Sequence, residues 1–353
     1  MGIKGLNEFL KKYYTPLNIP VKDFKGKKIA IDANNWLNIA LYISNKKNVV
    51  NHNVSEGPPS AEITRKYLIS GLIKFILSFT SNGITPIFVF DGKSPDKKNS
   101  TKEERIMERK KLEDKISEYE KLIINSSIED YKNNALELSK LYSRCYPPAY
   151  LEVNNIKKVI SDLGIPVIEA PGESEQMCSF LCKKKLVYAV YSTDTDNLVY
   201  GCPIIIKEFN GFSKDENDEN VKFCTVVILK DVLQSLGITY DMFVDLCIMS
   251  GCDYNTRIPK VGPANSYKLL KQYGNIENID KYETQCLDYK WCRQHFKSED
   301  FSVDFYTSIN PPQYELVNDI FNKYEVYINR DSYILSLKEV KEEKRKITII
   351  SRN

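Results

Sequence analysis

Seven carboxylates in this chain fall where an α/β sheet would gather them. Asp32 follows the apolar run IAI, Asp91 follows IFVF, and Asp194 and Asp196 follow a run that ends at Ser192. In open α/β sheets, ligands bind outside the carboxyl ends of the strands. Positions i and i+2 of extended chain point the same way, so Asp194 and Asp196 can face one site. Glu173 and Glu175 are also two apart. In mid-helix that spacing would splay them by about 200°, but at a helix entry after Pro171-Gly172 both can reach a common site. Asp253 follows a helical stretch over 241–250. Gathering seven ionised acids costs energy unless cations answer the charge. Two Mg²⁺ ions, keeping some of their waters, would neutralise over half of it, and Lys93, two residues past Asp91, can supply more. Such a cluster suits two-metal phosphodiester hydrolysis, one ion activating water and the other stabilising the leaving oxygen about 4 Å away. A single Asp at a strand end is most often a turn or a helix cap. The coincidence of several at one end is what carries weight. Spacing by itself leaves a metal nuclease and another Mg²⁺-dependent phosphotransfer enzyme evenly matched.

The elements that must position these acids are legible as periodicity. Residues 28–33, 85–90, 165–168 and 187–192 read as short apolar strands. Residues 61–79, with Leu68, Leu72, Phe75, Ile76 and Phe79 in one stripe, read as a helix, as do 152–163 and 173–184. Strands alternating with helices predict an α/β fold with a mainly parallel twisted sheet flanked by helices. Residues 93–149 are highly charged, with helical runs and no strand signal. Residues 209–221 (FNGFSKDENDENV) read as a polar, acidic loop, and beyond about 280 the pattern is mostly helical.

Composition narrows the class. Apolar residues make up 42% and charged residues 27%, so a real core is expected. The net charge is +3, from 50 Lys+Arg against 47 Asp+Glu; a nucleic-acid partner would therefore require the charge to be segregated, with cations along one groove. Two histidines, His52 and His295, disfavour a His-based metal centre or a Ser-His-Asp hydrolase. The nine cysteines show no CxxC and read as reduced, mostly buried thiols in an intracellular protein. No apolar run approaches the ~20 residues of a membrane span.

At the acid positions the sequence resembles the flap endonuclease family of structure-specific 5′ nucleases. The resemblance runs over roughly residues 1–275, in the ordered blocks MGIKGL, IAIDANNWL, FVFDGKSPDKK, LGIPVIEAPGESEQMC, YSTDTDNLVYG and DLCIMSGCDYNTRIPKVGP. Six ordered blocks are far more specific than one short motif. The family implies a PIN-like α/β nuclease core over 1–280, divided into an N-terminal region (1–92), a helical arch (93–149) and an internal region (150–280). A helix–two-turn–helix DNA clamp falls at about 253–275, and 281–353 is a divergent, mostly helical C-terminal region. Carried over block by block, the resemblance makes Asp32, Asp91, Glu173, Glu175, Asp194, Asp196 and Asp253 the metal-site carboxylates for two Mg²⁺ ions, with Mn²⁺ as a substitute. Lys93 and Arg105 become the residues beside the scissile phosphate, and Gly2 the N-terminal residue packed near the active site.

The arch segment agrees in composition. Residues 93–111 hold eight cations against four acids, and Lys98, Arg105 and Arg109 lie close to one helical face. A single-stranded 5′ end could thread past such a face, held by phosphate contacts. A solvated, salt-bridged helix with Glu103, Glu104 and Glu108 interleaved is the plainer alternative. In the clamp, Gly262-Pro263 opens a helix whose free N–H groups suit a phosphate. The family's turn also holds K⁺ through backbone carbonyls. Lys260 stands where the pattern has its first glycine, which puts that K⁺ site in question and offers a direct phosphate contact instead. The family's base-stacking Tyr is replaced by Asn38, and the nearby Trp36 reads as core. No sliding-clamp box is present in the tail KEEKRKITIISRN.

The implied function is Mg²⁺-dependent cleavage of DNA near single-strand/double-strand junctions, in replication or repair. Substrates would carry a 5′ flap, nick, gap or recessed 5′ end, acted on by a monomer in the nucleus or another site of DNA replication. A 5′ exonuclease-type member of the family, or a non-catalytic junction-binding protein of the same fold, are the alternatives.

Overall fold

The structure, a computed structural model, describes residues 3–93, 95, 99–147, 149–214, 220–255, 258–280, 287–299, 301, 303–310, 312–340 and 346–349. Its elements run α1 (Leu6–Leu10), β1 (Leu17–Pro20), β2 (Lys28–Asp32), α2 (Ala33–Val50), α3 (Ala61–Thr80), β3 (Thr85–Phe90), α4 (Asn99–Ile124), α5 (Ile128–Cys145), α6 (Ala149–Asp162), β4 (Val167–Glu169), α7 (Ser174–Lys183), β5 (Ala189–Tyr191), β6 (Ile204–Lys214) and β7 (Asn220–Ile228). Then follow α8 (Leu229–Leu236), α9 (Tyr240–Ser250), α10 (Pro263–Tyr273), α11 (Tyr289–Lys297), β8 (Val303–Tyr306), α12 (Tyr314–Lys323), α13 (Arg330–Glu339) and β9 (Lys346–Ile349).

Seven strands form one sheet in the order β1-β7-β6-β5-β2-β3-β4. The β6-β5-β2-β3-β4 run is parallel, and β7 and β1 add antiparallel pairs at one edge. The sheet is therefore mainly parallel, as the alternation of elements predicts. All six residues of β3 are buried, as expected for a parallel strand covered on both faces. Strand alternation sends Ala30, Ile87 and Val89 into a core shared with α7, α9 and α11. Ile29, Ile31, Phe88 and Phe90 point into a second core, shared with α2, α3 and α6. Val317, Ile320, Phe321 and Tyr333 from α12 and α13 fill that second core too, so the C-terminal region packs into the same body. The helices α4 and α5 make a hairpin with a small core of its own (Ile116, Ile123, Leu138, Tyr142), closed by Val49 and Val54.

The sequence expectation fails in one place and is incomplete in another. Residues 209–214 and 220–221 are strand, not loop: β6 and β7 extend through them as an antiparallel pair, while 215–219 lie outside the described residues. Ladder pairing satisfies the backbone there whatever the side chains' polarity, and Phe209 stacks on Phe79 with centroids 3.9 Å apart. The mostly helical C-terminal region also carries the β8–β9 pair. The described cysteines form no disulfide, and all but Cys252 are buried.

A buried ion pair joins α9 to α11, beside an exposed one between Asp241 and Lys297. Asp245, 3% exposed, receives Arg293 Nε and Nη2, both at 2.6 Å, and the same guanidinium reaches Glu277. Removing one partner of a buried pair leaves an uncompensated charge. Arg293→Met is therefore expected to destabilise by about 3–5 kcal/mol, read as a drop in denaturant midpoint. An unchanged midpoint would show that the pair does not hold α11.

Candidate active site

The carboxyl ends of β2, β3 and β5, the start of α7 and the end of α9 converge on one cavity of about 780 Å³. Its wall includes Asp91, Glu173, Glu175, Asp194, Asp196 and Asp253. Asp32 is 1% exposed and lies apart from that wall, near enough to Asp91 to feel its charge.

Local chain chemistry sets each acid. Asp32 ends β2 and caps α2, accepting the Asn35 N–H at 3.3 Å and the hydroxyls of Ser174 and Ser192, each at 3.0 Å. Asp91 accepts the Ser174 N–H at 2.8 Å and the Asn34 side-chain amide. Ser174 thus ties Asp32 to Asp91 with its two donors. Glu173 is the N-cap of α7, in extended conformation, and Glu175 sits in the first turn. The close approach of the β3 end to this helix entry depends on Gly92. Its N–H donates to the Gly172 carbonyl at 2.8 Å, and a Cβ there would lie 1.9 Å from the Ala170 carbonyl oxygen. Asp194 closes the turn after β5 by accepting the N–H groups of Thr195 at 2.7 Å and Asp196 at 3.4 Å. Asp196 accepts the Ile3 N–H at 3.0 Å, which brings the start of the described chain to the cavity wall.

Electrostatics mark the cluster as over-charged. Burial first, and then Asp91, push the Asp32 carboxyl up to about 6. Burial and neighbouring Asp194 hold Asp196 well above the usual carboxylate range. Acids raised in this way are stabilised by added cations. Among the described residues, no three His, Cys, Asp or Glu side chains are gathered closely enough to hold an ion by themselves. Mg²⁺ binds through one or two carboxylates and keeps several waters, so it does not require three side chains at one point. The donor set, all oxygen and all acidic, fits the same ion.

Cations line the same cavity. Arg109, Lys111 and Lys115 of α4 and Arg144 of α5 are on its wall, with Glu108 of α4 among them. Arg109 is already engaged: Nη2 donates to the Cys145 carbonyl at 2.9 Å and Nε pairs with Glu113 at 2.9 Å. Lys93 is exposed and is not among the lining residues. Gly2, Lys98 and the side chain of Arg105 lie outside the described residues. Gly262 caps α10 with Pro263 in its first turn, and Lys260 holds a left-handed backbone (φ 62°), the conformation for which glycine is suited. Trp36 is core, packed on Phe75 and Phe88, and Asn38 lines the cavity.

Several site residues escape sequence reasoning. Asn34, Asn35, Ser174 and Ser192 are the donors that orient the acids, and their only sequence signal is adjacency to them. Tyr200 is a second case. Its hydroxyl donates to Glu173 Oε2 at 3.0 Å and meets the Tyr254 hydroxyl at 2.9 Å and His295 Nε2 at 3.4 Å. Burial, followed by the Glu173 charge, pushes its phenol far up, so it stays a donor. Tyr200→Phe, which keeps the ring and removes this bond to Glu173, is expected to lower kcat by about tenfold with little change in KM. Equal kcat would show that the bond does not position Glu173. A third case is Lys207, whose ammonium donates to the Thr193 carbonyl; burial lowers it to about 8, although Asp194, Asp196 and Asp32 pull the other way.

Residues 1–113 match the XPG N-terminal domain and residues 164–253 the XPG I-region. The flap endonuclease 1 of Naegleria gruberi is 32% identical over 292 residues, covering 80% of this chain and 67% of that protein. The chain belongs to the flap endonuclease family. The Cryptosporidium parvum flap endonuclease 1 is 35% identical over 292 residues, and this chain spans little more than half of its length, 56%. Among solved structures, flap endonuclease-1 from Methanococcus jannaschii shares the fold, with a TM-score of 0.58 at 24% identity, over 96% of this chain and 98% of the other. Family membership places both XPG regions across the acid-bearing segments, with Asp32 and Asp91 in the first and the other five acids in the second. No single described helix is long and apolar enough to cross a membrane.

Proposed function

We propose that this flap endonuclease family member is a divalent-metal-dependent, structure-specific 5′ nuclease that hydrolyses DNA near single-strand/double-strand junctions. One observation carries the proposal: Asp91, Glu173, Glu175, Asp194, Asp196 and Asp253, from separate chain segments, line a single cavity together with cations of α4 and α5. Asp91, Glu173, Glu175, Asp194, Asp196 and Asp253 would hold two Mg²⁺ ions, with Asp32 held close to Asp91 by Ser174. Bound there, the ions supply Lewis acidity for attack of water on a phosphodiester.

The chain's own residues do the rest. Lys111, Lys115 and Arg144 draw the backbone of a single strand into the cavity by charge. Ser174, Ser192, Asn34 and Asn35 keep the acids oriented, so little reorganisation is needed as charge builds on the phosphate. Lys93 and Arg105 stabilise that charge. The α10 N-terminus at Gly262, with Lys260 beside it, takes a duplex phosphate away from the cut. Lys260 stands where the family's turn has a glycine, and its ammonium would offer the phosphate a direct contact in place of one through K⁺. The substrates are DNA with a 5′ flap, nick, gap or recessed 5′ end, bound by a monomer.

Labelled flap, nicked, gapped, bubble and four-way DNA, incubated with and without Mg²⁺, test the proposal. Intact flap oligonucleotides released only with Mg²⁺ support it. Mononucleotides from recessed 5′ ends favour the exonuclease alternative, and no cutting of any substrate refutes both. Lys260→Ala is expected to weaken binding uniformly across these DNAs and to reduce the slope of log K against log salt by about one. An unaltered slope would remove Lys260 from the phosphate contacts.

A further inference from the structure

The strand β6 holds one more residue than its partner at Lys207: Ile206 pairs with Val226, and the next pair is Glu208 with Thr225. A bulge of this kind re-aims the extra side chain and is common beside active sites. Lys207 lies one residue past the last parallel pair to β5, Tyr191 with Ile206, and so sits under the turn that carries Asp194 and Asp196. Its ammonium donates to the Thr193 carbonyl, and it is half-buried yet not among the residues lining the cavity. It therefore meets the acid-bearing turn through the Thr193 carbonyl.

The rest of the turn is bonded by other groups. Thr193 donates its N–H and hydroxyl to Asn35 Oδ1, at 3.1 and 2.9 Å. Ser192 donates to the Ile206 carbonyl at 3.2 Å, and the N–H of Asp194 goes to Ser192 Oγ at 3.2 Å. The Thr193 carbonyl is the point where a cation enters this network. A partly buried carbonyl left without a partner is costly, and three carboxylates gathered without an interior positive charge repel one another.

We propose that Lys207 is a positioning residue of this active site: it clamps the Thr193 carbonyl so that Asp194 and Asp196 are presented to the cavity as a fixed pair. The proposal rests on the nuclease reading. Lys207→Met keeps the length of the side chain and removes its charge and donors; Lys207→Arg keeps both. On flap DNA, Lys207→Met is expected to lower kcat at least about tenfold, with KM for DNA within about threefold and no recovery at higher Mg²⁺. Lys207→Arg should recover most of the loss. Independently of activity, amide hydrogen exchange at residues 193–196 should accelerate in Lys207→Met and stay near wild type in Lys207→Arg. A Met variant that cuts within twofold of wild type, or shows unchanged exchange at 193–196, overturns the clamp. A wild-type protein that cuts no DNA would instead sink the nuclease reading, and the exchange measurement would still decide the role of Lys207.

Discussion

Asp194→Asn is expected to lose cutting by at least about a thousandfold, which corresponds to roughly 4 kcal/mol of transition-state stabilisation, while the protein stays folded and binds DNA. The asymmetry follows from what Asp194 does. One of its oxygens accepts the N–H groups of Thr195 and Asp196, and the carbonyl oxygen of an asparagine can accept the same two bonds. The turn after β5 therefore survives. What is lost is a negative charge in a wall that already holds Asp91, Glu173, Glu175, Asp196 and Asp253. DNA binding depends mainly on cations elsewhere, and removing an acid relieves repulsion of the phosphates. Cleavage rates in Mg²⁺, beside anisotropy binding curves in EDTA and a circular dichroism spectrum, check all three expectations. An Asn variant that cuts within tenfold of wild type would take Asp194 out of the metal site.

Gly92→Ala is expected to be nearly as damaging, by geometry alone. The added Cβ would lie 1.9 Å from the Ala170 carbonyl oxygen and 3.2 Å from the Pro171 carbonyl carbon. That oxygen belongs to backbone, so no rotamer change relieves the clash. Either the 170–173 segment retreats or the end of β3 does. Overpacking of this kind costs about 1–3 kcal/mol and sometimes more. The functional loss should be larger than the stability loss suggests, because the segment that moves carries Glu173 on one side and Asp91 on the other. A displacement of about 1 Å at such a site costs roughly a hundredfold in rate. Thermal unfolding and cleavage of the same variant separate the two effects. Retention of full activity in a stably folded variant would contradict the close approach on which the site is built.

The legible parts of this molecule were those written as periodicity. The strands ending at Asp32 and Asp91 are unbroken apolar runs because both faces of a parallel sheet are covered, and such runs are visible without any partner. The helix entry at Glu173 was marked by Pro171-Gly172. The hairpin β6–β7 was hidden, because its far half is polar and its strand character comes from pairing across the chain, not from composition. The same distinction divides the site. Acids at strand ends announce themselves, whereas Ser174, Tyr200 and Lys207 earn their roles only through contacts 27 or more residues away or through a register shift. The near-neutral net charge also concealed how the fold distributes charge, bringing the acids at the strand ends and the cations of α4 and α5 to one cavity.

Anomalous diffraction from crystals grown with Mn²⁺ tests the shared-ion claim most directly. Two peaks about 4 Å apart, among Asp91, Glu173, Glu175, Asp194, Asp196 and Asp253, are the expected result. Ions bound only elsewhere, or no peak in that cavity at Mn²⁺ concentrations that support cleavage, would contradict it.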